Sequence, residues 1–100
     1  TAGEQVESGI MYGLTAALFG EIRVRDGAVV ESNFHNYEIA RMIDAPEMDT
    51  HFSLAGGDKW GGMGEPGLPP LAPAVCNAIF RVTGKRVRSL PLSRHDLSWA

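Results

Sequence analysis

Residues 56–70 read GGDKWGGMGEPGLPP, and no other stretch limits the fold as strongly, because six glycines and three prolines there rule out a regular helix or strand. Glycine frees the main chain, while proline fixes φ and removes a backbone donor. Regular elements must therefore lie on either side of it. On the N-terminal side, Val6, Ile10, Leu14, Ala17 and Leu18 recur at steps of three and four and predict one face of a helix that Gly20 stops. Gly9 and Gly13 lie four apart inside that helix. Each costs about 1 kcal/mol relative to alanine, so close approach by another element or a ligand is the expected compensation.

Residues 21–25, EIRVR, alternate with period two and predict a half-buried strand. Asp26-Gly27 follows as a hairpin signal, with residues 28–34 as the return strand. Residues 36–46 form an irregular connection. Met48, Thr50, Phe52 and Leu54 alternate with Asp49, His51 and Ser53, which predicts a third strand. Beyond the glycine-rich stretch, a second helix is expected near Pro73, with Ala74, Val75, Ala78, Ile79 and Val82 as its apolar stripe and Gly84 as its end. Residues 87–92 predict a last short strand. The order gives an α+β fold, with two helices on an antiparallel or mixed sheet. No internal repeat is present.

Composition narrows the function classes. A 100-residue chain suits one domain at most, and such a domain buries only about 60–70% of its unfolded surface, so partners are expected. A hydrophobic content of 44% and a mean hydropathy of −0.08 fit a globular chain. The net charge of −3 argues against nucleic acid, which calls for clustered cations. Lys85, Arg86, Arg88 and Arg94 form a local basic group, read as a solvated edge or a subunit contact. The single cysteine, Cys76, excludes an internal disulfide and a multi-thiolate metal site. No apolar run of about 18 residues is present, so no membrane span is expected. The opening Thr1-Ala2-Gly3 runs straight into a helical pattern and reads as the interior of a longer polypeptide.

Few residues offer chemistry. His35, His51 and His95 lack ligand-like spacing and read as surface or structural residues. Residues 83–86, TGKR, lack the flanking residues of a phosphate-binding loop and read as a helix stop. The segment around Glu65 differs. Gly61, Gly62 and Gly64 permit close main-chain approach, Pro66 restricts Glu65 to extended backbone, and Pro69 and Pro70 stiffen the chain on its C-terminal side. A carboxylate mounted in this way can be held at fixed reach from a reacting atom. Equally, a glycine- and proline-rich surface loop can carry a solvated glutamate with no role.

Two segments together carry a family resemblance. Residues 5–14, QVESGIMYGL, resemble a helix-opening motif of the molybdenum hydroxylases, the xanthine oxidase and aldehyde oxidase family. Residues 61–78, GGMGEPGLPPLAPAVCNA, resemble that family's final active-site segment, a Gly-x-Gly-Glu-Pro loop leading into an alanine-rich helix. Order and spacing agree over nearly the whole chain. Ser8, the Glu65-Pro66-Gly67 run in place of Glu-Pro-Pro, and residues 33–37, NFHNY, look like the large (beta) subunit of the isoquinoline 1-oxidoreductase type rather than a purine enzyme.

The resemblance implies that residues 1–100 are the C-terminal portion of a molybdopterin-binding domain. It implies that Glu65 is the general base for hydroxylation of an N-heteroaromatic compound or aldehyde with oxygen from water. A positioned base of this kind typically contributes about 10²–10⁴-fold. Gln5 and Gly64 would lie against the molybdenum cofactor, expected in its cytosine dinucleotide form, with no protein side chain as a metal ligand. The remainder of the large subunit and a small 2Fe–2S subunit, through whose iron–sulfur clusters electrons leave, are the implied partners besides the small-molecule substrate. The isolated chain is expected to be inactive. A bacterial cytoplasm and a periplasm are both compatible with it. The competing reading is a noncatalytic packing or interaction domain on the same scaffold.

Overall fold

A computed structural model describes residues 1–98. Helix α1 spans Ala2–Leu18, strands β1 (Val24–Arg25) and β2 (Ala28–Val29) come next, and helix α2 spans Leu71–Thr83. Short 3-10 turns occupy Met42–Asp44 and Leu92–Arg94. The expected α+β class holds, with two helices and a two-stranded antiparallel sheet.

The α1 stripe is as the periodicity requires. Leu14 and Ala17 are buried, with Val6, Ile10 and Leu18 half-buried beside them. The helix ends at Leu18, and the Phe19 and Gly20 N–H groups both donate to the Thr15 carbonyl. α2 begins at Leu71, two residues before the expected start, so Pro73 falls in its first turn where its missing N–H costs nothing. Gly84 ends it with φ 73°, the left-handed conformation that favours glycine. Its half-buried side is Leu71, Ala72, Val75, Cys76 and Ile79, whereas Ala74, Ala78 and Val82 are exposed. The stripe is thus rotated from the one expected, because 3.6-residue spacing fits both sets and only the position of α1 selects between them.

The sheet is smaller than the sequence predicts. Val24 pairs with Val29 and Arg25 with Ala28 around Asp26 (φ 51°) and Gly27 (φ 77°), a turn with two positive φ values that matches the twist of a hairpin. One further backbone bond, Val30 N–H to the Arg23 carbonyl, extends it. Glu31 closes the hairpin base by accepting from the Arg23 backbone N–H at 2.7 Å and from its guanidinium Nε at 2.6 Å. Residues 48–54 do not form the expected third strand, and residues 87–92 do not form the expected last one. In the first case a period-two pattern has no ladder partner. In the second, the chain turns at Pro91, and Val87, Pro91 and Leu92 bury against the helices instead.

Among the described residues the buried apolar side chains are Leu14, Ala17, Val87, Pro91 and Leu92, a very small core. The accessible surface of 8026 Å² compares with roughly 5,500 Å² for a compact monomer of this mass. The radius of gyration of 16.5 Å likewise exceeds the ~13 Å of a compact 100-residue domain. Hydrophobic side chains such as Met42 (87% exposed), Ile43 (91%), Leu54 (86%) and Trp60 (101%) account for part of the excess. No described helix is long and apolar enough to cross a membrane.

Candidate functional site

The glycines of α1 explain how the two motif segments meet. A Cβ added at Gly9 would sit 3.4 Å from the Gly67 Cα and 3.5 Å from the Leu68 nitrogen. At Gly13 it would sit 2.9 Å from the Leu68 carbonyl oxygen and 3.1 Å from the Leu71 Cβ. Seen from the other side, a Cβ at Gly67 would lie 3.0 Å from the Val6 carbonyl oxygen. The segment after Glu65 therefore lies directly on the α1 backbone, and the conformational cost of Gly9 and Gly13 has its expected compensation. Sequence reasoning singled out Gly9 and Gly13 but missed Gly67 as their counterpart. The available signal was a further small residue in the one loop able to reach them.

The geometry of this loop comes from its prolines. Pro66 sits second in a turn closed by the Leu68 N–H donating to the Glu65 carbonyl at 3.0 Å. The Leu71 N–H then donates to the Leu68 carbonyl at 3.2 Å, and the Ala74 N–H to the Pro70 carbonyl at 3.1 Å, so turn passes into α2 without a break. Glu65 is consequently mounted one residue before a rigid corner that is itself docked on α1. Its side chain is exposed and forms no ion pair among the described residues.

Gln5 lies in the first turn of α1, where its N–H donates to the Thr1 carbonyl at 3.0 Å. Its side-chain Oε1 is the one atom within 4 Å of a Cβ built on Gly64, at 3.9 Å. The fold thus brings Gln5, Gly64 and Glu65 to one place although 60 residues of sequence separate the first from the last. Gly61 and Gly62 would meet nothing within 4 Å, which leaves bare main chain facing open space beside them. Grooves among the described residues along residues 22–37, between α1 and residues 37–40, between α1 and residues 42–48, and on α2 with residues 86–90 are not lined by Gln5, Gly64 or Glu65.

Other candidates resolve into structural roles. His95 hydrogen-bonds through Nε2 with the Ser89 hydroxyl and carbonyl, and His51 approaches Asp49 at 3.0 Å on the exposed surface. His35 is exposed. Cys76 is half-buried on α2. The basic group is largely engaged within the chain. Arg86 bonds Asn77 Oδ1 and stacks 3.6 Å from the Phe80 ring centre, Arg94 pairs with Glu21, and Lys85 Nζ donates to the Ser98 carbonyl. Among the described residues no group of three or more His, Cys, Asp or Glu side chains could hold a metal ion.

No protein-family profile matches the chain. Individual relatives do. The chain is 40% identical over 89 residues to the isoquinoline 1-oxidoreductase subunit beta of Brevundimonas diminuta, a match covering 88% of the chain and 11% of that protein. It is 38% identical over 96 residues to the membrane-bound aldehyde dehydrogenase (pyrroloquinoline-quinone) of Gluconacetobacter polyoxogenes, covering 96% of the chain and 12% of that protein. It is 33% identical over 104 aligned residues to the aldehyde oxidoreductase molybdenum-binding subunit PaoC of Escherichia coli, covering 97% of the chain and 14% of that protein. The chain therefore spans only about one-eighth of the length of the relatives it matches. Matched over nearly all its residues by such proteins, and carrying both motif segments in their family order, the chain belongs to the xanthine oxidase and aldehyde oxidase family of oxidoreductases.

Proposed function

We propose that this chain forms one wall of the active site of a molybdenum-dependent oxidoreductase, with Glu65 as the general base and Gln5 and Gly64 against the cofactor. The observation that carries this reading is the convergence of Gln5 with Gly64 and Glu65 across the Gly9–Gly67 contact. The residues fit such a group. An amide beside side-chain-free main chain suits a polar, flat organic ligand, which the Gln5 amide can hydrogen-bond and the backbone at Gly64 can approach closely. When bound, the molybdenum cofactor supplies the two-electron oxidant, in the cytosine dinucleotide form by family likeness.

Glu65 does the proton work. Its side chain is carried by a corner fixed by Pro66 and by the contact of Gly67 with Val6 and Gly9, so its backbone position is set before substrate arrives. A carboxylate oxygen there takes the proton released as the oxygen nucleophile attacks an electron-poor carbon. Holding base and substrate in place also removes entropy from the barrier. The substrate class is an aldehyde or an N-heteroaromatic compound, as the names of the relatives indicate for those proteins. The remainder of the large subunit and a small iron–sulfur subunit complete the machinery. One relative carries pyrroloquinoline quinone in its name and another carries molybdenum. The pairing of the Gly64-Glu65-Pro66 loop with the Gln5 helix favours molybdenum, and metal analysis beside quinone extraction of the intact protein separates the two.

The decisive experiment is Glu65→Gln in the intact enzyme, which keeps shape and hydrogen bonding but cannot accept a proton. Turnover should fall by at least about 10²-fold, equivalent to roughly 2.7 kcal/mol in the barrier, with molybdenum content unchanged. A fully active, molybdenum-loaded variant would leave the packing-domain reading standing.

A further inference from the structure

Between the hairpin and the Glu65 corner lies a long exposed segment with little regular structure. No backbone hydrogen bond involves residues 46–64 among the described residues. Polypeptide in a folded protein pairs the great majority of its N–H and C=O groups wherever water is excluded. Within this segment residues 48–54, MDTHFSL, alternate apolar and polar side chains with period two. Met48 and Thr50 are half-buried, but Phe52 is 45% exposed and Leu54 86%, so the apolar face of the pattern runs out from the chain into open space. The one sheet among the described residues is the short hairpin of β1 and β2, and this segment pairs with neither strand.

Local sequence and missing partner together specify what covers it. We propose that residues 48–54 pair as a strand with the edge of a β-sheet contributed by the rest of the large subunit. Met48, Thr50, Phe52 and Leu54 then face the apolar side of that sheet, and Asp49, His51 and Ser53 face away. The occupant is this polypeptide's own remainder and not a second copy. The relatives extend about eightfold beyond the matched segment, and the chain exposes roughly 2,500 Å² more than a compact monomer, surface that one long partner in the same molecule would cover. Strand addition supplies both missing items at once, ladder bonds for the backbone and a face for the alternate side chains. It also has a consequence for the site. Residues 55–64 join this strand to Glu65, so the loop is held by α1 at one end and by the added sheet at the other. The inference rests on family membership and on the backbone, and it stands or falls independently of the chemistry of Glu65.

Hydrogen exchange on the intact large subunit tests it directly. Amides within residues 48–54 should be protected by about 10²-fold or more relative to an unstructured peptide, and those of residues 56–62 should not. Exchange of residues 48–54 at the unstructured rate would overturn the proposal. A paired substitution reads the face. Phe52→Lys in the intact protein should abolish that protection or the folded subunit itself, whereas Ser53→Lys should leave protection and cofactor content at wild-type values. Equal effects of the two would overturn the strand assignment. So would protection that appears only with dimerisation and scales with protein concentration, since the occupant would then be a second copy.

Discussion

The two ends of the loop that carries Glu65 contrast sharply. After Glu65, three successive backbone bonds and two glycine-to-backbone contacts near the van der Waals limit fix the chain on α1. Before it, the main chain from residue 46 to residue 64 makes no backbone–backbone bond among the described residues. The same loop is thus self-determined on one side and dependent on other parts of the protein on the other. A small segment can fully specify the corner on which a carboxylate stands while leaving the approach to that corner to be set by the larger body. The physical basis is the range of the forces involved. Turn closure and helix packing are completed by residues a few positions away or already adjacent in space, whereas a strand without an edge to join has nothing to gain from its alternation.

The contrast can be broken most severely at the docked end. Gly13→Leu would drive a side chain into the Leu68 carbonyl and Leu71, and overpacking of this kind costs about 1–3 kcal/mol, more than the ~1 kcal/mol gained by removing a helical glycine. Thermal unfolding of the intact subunit should show the loss, together with reduced cofactor content. A stability equal to wild type would mean that α1 and the loop do not meet as closely as the contact requires.

Next in size is Gln5→Ala, which on the proposed reading would remove one hydrogen bond of roughly 0.5–1.5 kcal/mol to the cofactor. Cofactor occupancy or affinity should fall while folding is retained, and unchanged occupancy and turnover would reduce this end of α1 to scaffold. Gly9→Ala sharpens the comparison by its opposite sign. Its Cβ meets Gly67 and Leu68 only at 3.4–3.5 Å, so the helix-propensity gain of up to about 1 kcal/mol should outweigh the contact and raise the unfolding temperature slightly. A clear loss of stability would show the junction to be as tight at Gly9 as at Gly13.

The smallest effect belongs to the hairpin, which is self-contained like the docked corner. The Arg23 backbone N–H, and then its guanidinium, hold the Glu31 carboxyl below its ordinary pKa. Because the folded value is the lower one, the pair contributes fully above the ordinary glutamate value and its contribution is lost as pH falls through the folded value. Glu31→Gln should therefore flatten the acid side of the stability curve of the intact protein and leave its neutral slope alone. An unaltered acid limb would show that the Arg23 contact contributes nothing to folding.

Much of this was legible in the residues. Periodicity placed α1 and its buried side through Val6, Ile10, Leu14 and Ala17, because a 3.6-residue repeat interrupted by a stop needs no tertiary information. Asp26-Gly27 marked the hairpin turn, since few other pairs accept two positive φ values. Gly84 marked the end of α2 for the same reason. The expected strands at residues 48–54 and 87–92 failed for a different reason. Alternation describes a side-chain preference, but a strand exists only with a neighbour. For α2, several faces share the apolar residues: of the expected stripe, Val75 and Ile79 are half-buried, whereas Ala74, Ala78 and Val82 proved exposed.

By itself, then, the sequence determined the local conformations: where helices start and stop, where the chain reverses, and that Glu65 stands between a permissive Gly64 and a restricting Pro66. These come from steric limits on φ and ψ, which act within a few residues. Only the tertiary structure decided that Gln5 lies beside Gly64, that Gly67 is the counterpart of Gly9, and which side of α2 is covered. Those outcomes depend on which backbones can approach within contact distance of one another, and a close approach between residues as far apart as Gln5 and Gly64 is settled by packing rather than by any local preference.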